Sequence, residues 1–95
     1  MLTLPIKRKW FEMIISGEKK EEYREITPYW NTRILRCGYA GIKFVVRIKN
    51  GYKKEAPYAD LLVKKTVGFG RPEWGAPADR KVHILQIVDI LEVKE

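Results

Sequence analysis

The chain has one cysteine, Cys37, and one histidine, His83. A lone thiol cannot close an internal disulfide, and one thiol with one imidazole cannot furnish the ligand set of a zinc site. No metal or cofactor is therefore expected. Long apolar runs are also missing. The longest stretches without charge are residues 26–32 and 82–88, seven residues each, against about 20 for a membrane-spanning helix. The opening MLTLPIKRKW reaches charge too early for the apolar region of a secretory signal. These absences point to a soluble, cytoplasmic protein, assumed monomeric and without a membrane partner. Its 95 residues leave room for one hydrophobic core, so residues 1–95 are read as a single domain.

Acidic residues are missing from the middle of the chain. Residues 26–54 carry seven Lys/Arg and no Asp or Glu, whereas residues 1–25 sum to +1 and residues 55–95 to −1. The formal net charge of +7 is thus confined to the middle third. A basic segment of this kind attracts polyanions, of which nucleic acid is the commonest.

The apolar pattern predicts a strand over residues 1–4 and a helix over 7–16. The helix presents Trp10, Met13 and Ile14, flanked by Phe11 and Ile15, and stops at Gly17. Residues 20–26 read as a strand, because too few residues follow Gly17 for another helix. Thr27-Pro28 is a helix start. That helix should run to about Arg36 and end at Gly38, with Trp30, Ile34 and Cys37 toward the core and Tyr29, Arg33 and Arg36 toward solvent. Residues 41–49 and 58–67 read as strands, the latter placing Ala59, Leu61, Val63 and Val67 on one face, with an Asn50-Gly51 turn between them. Residues 68–79, rich in Gly and Pro, read as a loop. A long last strand should cover 80–93 and bend near Asp89. The expected class is α+β: a small curled β-barrel of five or six mostly antiparallel strands with two flanking helices.

Residues 18–25, EKKEEYRE, hold seven charges in eight positions. Strand alternation puts Lys20, Glu22 and Arg24 on one face and Lys19, Glu21, Tyr23 and Glu25 on the other. Two readings stay open. The charges form surface cross-strand pairs worth under about 1 kcal/mol each, or Lys19, Glu22 and Arg24 form a polar site at a barrel mouth, where ion pairs need good geometry or a functional reason.

Gly17-Glu18-Lys19-Lys20-Glu21-Glu22-Tyr23-Arg24 fits the pattern GxKxxExR and resembles the signature of ASCH domains (activating signal cointegrator homology) of the PUA-like superfamily. The flanking LPIKRKWFEMIISGEKKEEYREITPYW and the later NGY and GFGRPEWGA segments are similar to small single-domain bacterial and phage members. The resemblance implies a PUA-like β-barrel with helices beside a cleft, the motif along that cleft, and RNA or a nucleotide as ligand. Some relatives of similar fold are enzymes that deacylate a modified cytidine or cleave RNA. In the deacylating ones the motif lysine, matching Lys19, works with a threonine where this chain has Glu22, and with a glutamate from a later segment, for which Glu73 is the acid on offer. The alternative to a binding module is therefore a hydrolase with Lys19 and Glu22 as its acid–base pair.

Around the motif, Lys7 is a candidate for phosphate contact or a solvated lysine. Trp74, in a loop stiffened by Gly and Pro, would stack on a base or close the apolar end of the barrel. Tyr29, Tyr39 and Tyr52 interleave with Arg33, Arg36, Lys43 and Arg47, a basic-aromatic pattern suited to single-stranded RNA. His83 reads as a strand residue without catalytic duty, and Cys37 as core.

Overall fold

The computed structural model describes residues 1–37 and 41–95. The elements follow the order β1 (Leu2–Ile6), α1 (Arg8–Ile15), β2 (Glu21–Arg24), α2 (Pro28–Leu35), β3 (Lys43–Asn50), β4 (Tyr58–Gly68), a 3-10 turn (Pro72–Trp74) and β5 (Val82–Lys94). The class is α+β, as expected, with five strands in the order β1-β3-β4-β5-β2. The β1–β3 pair is parallel and the other three pairs are antiparallel. The sheet curls into a half-barrel. Its two free edges, β1 and β2, border the opening.

Local chemistry sets the boundaries. Gly17, at φ +85°, closes α1 by donating from its N–H to the Ile14 carbonyl at 3.0 Å. The Thr27 hydroxyl caps α2 by accepting from the Trp30 N–H, with Pro28 in the first turn. The expected helix end at Gly38, and Tyr39 beside it, lie outside the described residues. In β5 the pairing slips on both sides of Asp89: Val63 faces Ile87, Leu62 faces Asp89, Leu61 faces Ile90 and Asp60 faces Glu92. Val88 and Leu91 are thus extra residues, and such bulges bend a strand and raise its twist. They supply the bend expected near Asp89.

The main core lies inside the curl. Leu4, Ile6, Val46, Ile48, Ala59, Leu61, Val63 and Leu85 from the sheet meet Phe11 and Ile14 of α1. A second cluster, Tyr23, Ala76, Val82 and Ile84 with Trp74 against it, lies under the 68–79 segment. Antiparallel partners share a face, so Tyr23, opposite Ile84, looks away from the face carrying Glu22 and Leu85. The 68–79 segment covers that outer side.

Two expected core residues sit elsewhere. Cys37 is only half-buried, its thiol on the Arg33 carbonyl at 3.4 Å, because it lies past the last turn of α2. Val67 is exposed although it continues the Ala59-Leu61-Val63 alternation. By that point β4 has run beyond the part of the curl that α1 fills.

Candidate functional site

The site grows from the free edge of β2. The Ile87 N–H donates to the Lys20 carbonyl at 2.9 Å. By alternation the main chains of Lys20, Glu22 and Arg24 face β5, and those of Glu21 and Tyr23 face the open edge. Unpaired edge groups invite another chain. Here three of them are met by side chains from the charged run. The Glu21 carbonyl accepts from Lys19 Nζ at 2.6 Å, the Tyr23 N–H donates to Glu22 Oε1 at 3.2 Å, and the Tyr23 carbonyl accepts from Arg24 Nη1 at 2.6 Å. Lys19, Glu22 and Arg24 thus cap the edge strand on which they sit.

Lys19 is the most deeply placed of the three, 1% exposed. Its ammonium also donates to Glu22 Oε1 at 3.0 Å and to the Trp74 carbonyl at 2.9 Å. Three donors thus meet three acceptors, with the Trp10 and Tyr23 rings 5.3 and 4.9 Å away. Burial pulls the Lys19 pKa down, and the adjacent Glu22 carboxylate opposes that shift. The expected face assignment needs correcting. The strand starts at Glu21, not Lys20, so alternation does not reach Lys19. The turn after α1, held by the Lys19 N–H on the Met13 carbonyl at 2.9 Å, delivers Lys19 to Glu22.

Glu22 Oε1 is occupied by Lys19 and Tyr23, whereas Oε2 is buried and has no hydrogen-bond partner among the described residues. Arg24 Nη1 lies 3.6 Å from it, too long for a hydrogen bond. Arg24 reaches across the opening of the half-barrel. Its Nη2 donates to the Pro5 carbonyl of β1 at 3.3 Å, and its guanidinium lies 5.2 Å from the Trp30 ring centre. A side chain rather than a strand pair therefore bridges the seam between β1 and β2.

Along this seam runs a cleft of about 710 Å³. Glu22 and Arg24 line it, as do Lys7, Tyr29, Tyr52 and all three tryptophans, Trp10, Trp30 and Trp74. The cleft wall thus combines a carboxylate, the Arg24 guanidinium beside it and several aromatic rings. The expected ligand residues Lys7, Glu22, Arg24 and Trp74 come together here, and Lys19 lies behind them, holding Glu22. Of the expected nucleic-acid residues, Arg33 and Arg36 line a separate groove. Lys43 is exposed at the start of β3, directly opposite Lys64. Arg47 is engaged elsewhere, in a two-point pair with Asp60 at 2.7 and 3.0 Å, and that guanidinium holds the Asp60 carboxyl below its ordinary range. Glu73 is exposed and makes no ion pair among the described residues. His83 lies in β5, 6% exposed, and ties the sheet to α2 through Nε2 and Asn31 Oδ1 at 2.6 Å. Among the described residues there is no cluster of His, Cys, Asp and Glu able to hold a metal and no helix long and apolar enough to cross a membrane.

The sequence pattern assigned Trp10 and Trp30 to the core, and the structure places both at the cleft wall as well. A signal was present: Tyr29-Trp30 opens α2 immediately after the motif strand, where a helix start sits at the rim of a sheet.

The Tyr23 hydroxyl pins the loop wall. It donates to Glu21 Oε1 at 2.8 Å and accepts from the Arg71 N–H at 2.9 Å. Burial is the main cause pushing its pKa well above the ordinary tyrosine value, with the Arg71 N–H opposing and Glu21 adding. A raised acid pKa stabilises the fold fully below the unfolded-state value, about 10, and that contribution is lost as pH rises through the folded value. Tyr23→Phe is therefore expected to melt lower than the wild type at neutral pH. The gap should narrow above about pH 10. Melting temperature against pH checks this, and a constant gap would contradict it.

Compared with protein-family models, with curated proteins and with solved structures, the chain gives no match.

Proposed function

We propose that this chain is a cytoplasmic RNA- or nucleotide-binding module of the ASCH type, and that a nucleobase enters the seam cleft. The observation that carries this reading is Glu22, whose side chain lines an aromatic-rich cleft and whose buried Oε2 has no hydrogen-bond partner among the described residues. A buried acceptor left unmet costs about 1–3 kcal/mol, more when charged. A ligand N–H placed there recovers that cost. Arg24 beside it offers a planar donor to a carbonyl or ring nitrogen. A donor next to an acceptor is the pattern on a base edge, and base–aromatic stacking adds about 1–3 kcal/mol per base.

The hydrolase alternative asks Lys19 to act as a base. Burial lowers its pKa and Glu22 opposes that shift, but all three of its ammonium protons are already donated to acceptors. Such a lysine is a good anchor and a poor proton acceptor. The binding reading is therefore preferred.

The three tryptophans report directly on the cleft. Short oligocytidylate, oligoadenylate and oligouridylate, titrated at low salt, are expected to quench their fluorescence saturably for at least one sequence. No quenching by any of the three would overturn the reading. Incubation with an acylated cytidine, followed by mass spectrometry, is expected to return the substrate intact. Turnover lost in Lys19→Ala, with the fold retained, would favour the enzyme.

A further inference from the structure

We infer that the groove beside the end of α2 is a phosphodiester subsite, so that the ligand of the seam cleft is a single-stranded oligonucleotide rather than a free nucleoside. This rests on the proposed reading of the cleft and extends it. The groove has a volume of about 440 Å³. Leu2, Phe44, Val45, Arg33 and Arg36 are among its lining residues.

Arg33 joins groove to cleft. Its guanidinium lies 3.5 Å from the centre of the Tyr29 ring, and its Nη1 donates to the Tyr29 carbonyl at 3.3 Å. Tyr29 itself is exposed and lines the cleft. A base in the cleft and a phosphate on Arg33 thus meet at one stacked pair. From Arg33 to Arg36 is about 4.5 Å along the helix axis, close enough for both to hold one phosphate or two successive ones.

The charge pattern singles out the same residues. Arg8, Arg24, Arg47 and Arg80 each have a carboxylate within ion-pair distance. Among the described residues Arg33, Arg36 and Arg71 have none. Arg71 repeats the Arg33 arrangement on the loop wall: its guanidinium lies 4.8 Å from the ring centre of Trp74, which also lines the cleft. Two walls of the cleft therefore each carry an arginine on an aromatic ring, with no carboxylate paired to it among the described residues. Lys43, next to the groove's Phe44, faces Lys64 across the ladder, a like-charge pair that costs stability until an anion is near. Arg33 and Arg36 also suit the negative end of the α2 dipole. That role accounts for neither the stack on Tyr29 nor the matching pair on the loop.

The test compares cytidine, cytidine monophosphate and a short oligocytidylate by tryptophan quenching, over a range of salt. The oligonucleotide is expected to bind at least tenfold tighter than the nucleoside at low salt. Its log–log salt slope should be about −0.7 per phosphate contact. Arg33→Glu/Arg36→Glu is expected to cut the ratio of oligonucleotide to nucleoside affinity at least tenfold and to flatten the salt slope. Arg36→Glu alone, exposed and therefore safe for folding, should give part of that loss. Equal affinity for nucleoside and oligonucleotide in the wild type, or an unchanged ratio in the double variant, would overturn the subsite while leaving the cleft reading intact. Failure of all three ligands, and of oligoadenylate and oligouridylate as well, to quench would overturn both.

Discussion

Lys19→Ala is expected to destabilise the fold more than any other truncation in the charged run 18–25, by about 3–5 kcal/mol. The lysine is 1% exposed and paired to Glu22, whose side chain is itself 7% exposed. Truncation leaves Glu22 as a buried charge with its main counter-ion gone. It also strips the donor from the Glu21 and Trp74 carbonyls. A domain of this size loses about 4–8 °C of melting temperature per kcal/mol, so the drop should exceed 10 °C by a clear margin. Glu18 and Glu25 provide the contrast. Both are exposed, and the Glu25–Arg80 pair is open to solvent on both sides, so each truncation should cost at most about 1 kcal/mol. Adding Glu22→Gln to Lys19→Met should recover part of the loss that Lys19→Met alone produces, because a neutral buried pair needs no counter-ion. Chemical denaturation measures all of these. Equal midpoints for Lys19→Ala and Glu18→Ala would mean that the motif is a solvated run after all.

Glu22→Gln is expected to weaken oligonucleotide binding by about 10- to 150-fold, the equivalent of one hydrogen bond to a charged group at about 1.5–3 kcal/mol, while the fold persists. Lys19 and the Tyr23 N–H both donate to the oxygen now at Oε1, so the glutamine carbonyl must turn that way. Its amide nitrogen then replaces Oε2. The acceptor beside Arg24 becomes a donor, and a base N–H brought to it meets a donor instead of a lone pair. Lys19 loses its counter-ion but keeps three acceptors, so the variant should melt lower than the wild type and still be folded by circular dichroism. A folded Glu22→Gln that binds as tightly as the wild type would remove Glu22 from recognition.

Periodicity and turn chemistry carried most of the fold. Gly17, Thr27-Pro28 and Asn50-Gly51 each mark a boundary that local geometry dictates. What periodicity could not supply was the openness of the curl. Nothing in Leu2–Ile6 or Glu21–Arg24 states that these strands stay unpaired with each other and meet through Arg24 and the Pro5 carbonyl. That depends on which strands neighbour which, a long-range property. The candidate site was half legible. The charged run announced itself through its density beside an apolar helix. The period-of-two rule nevertheless put Lys19 on the wrong side of Glu22, because Lys19 precedes the strand. Trp10 and Trp30 were hidden because a large aromatic at helical spacing looks alike whether it fills a core or walls a cleft. Arg47 looked free within residues 26–54, where no acid occurs. Its partner, Asp60, comes from the neighbouring strand.

The proposed function rests most directly on a contact between Glu22 Oε2 and a base N–H, and a thermodynamic cycle isolates it. Wild type and Glu22→Gln are each titrated with oligocytidylate and with the same oligomer carrying N4,N4-dimethylcytosine, whose amino hydrogens are replaced by methyl groups. Double-mutant logic separates a direct contact from independent effects. The account predicts that blocking the amino group weakens binding at least tenfold for the wild type and changes little for Glu22→Gln. The same loss in both proteins would mean that Glu22 does not read the base, and would contradict the account.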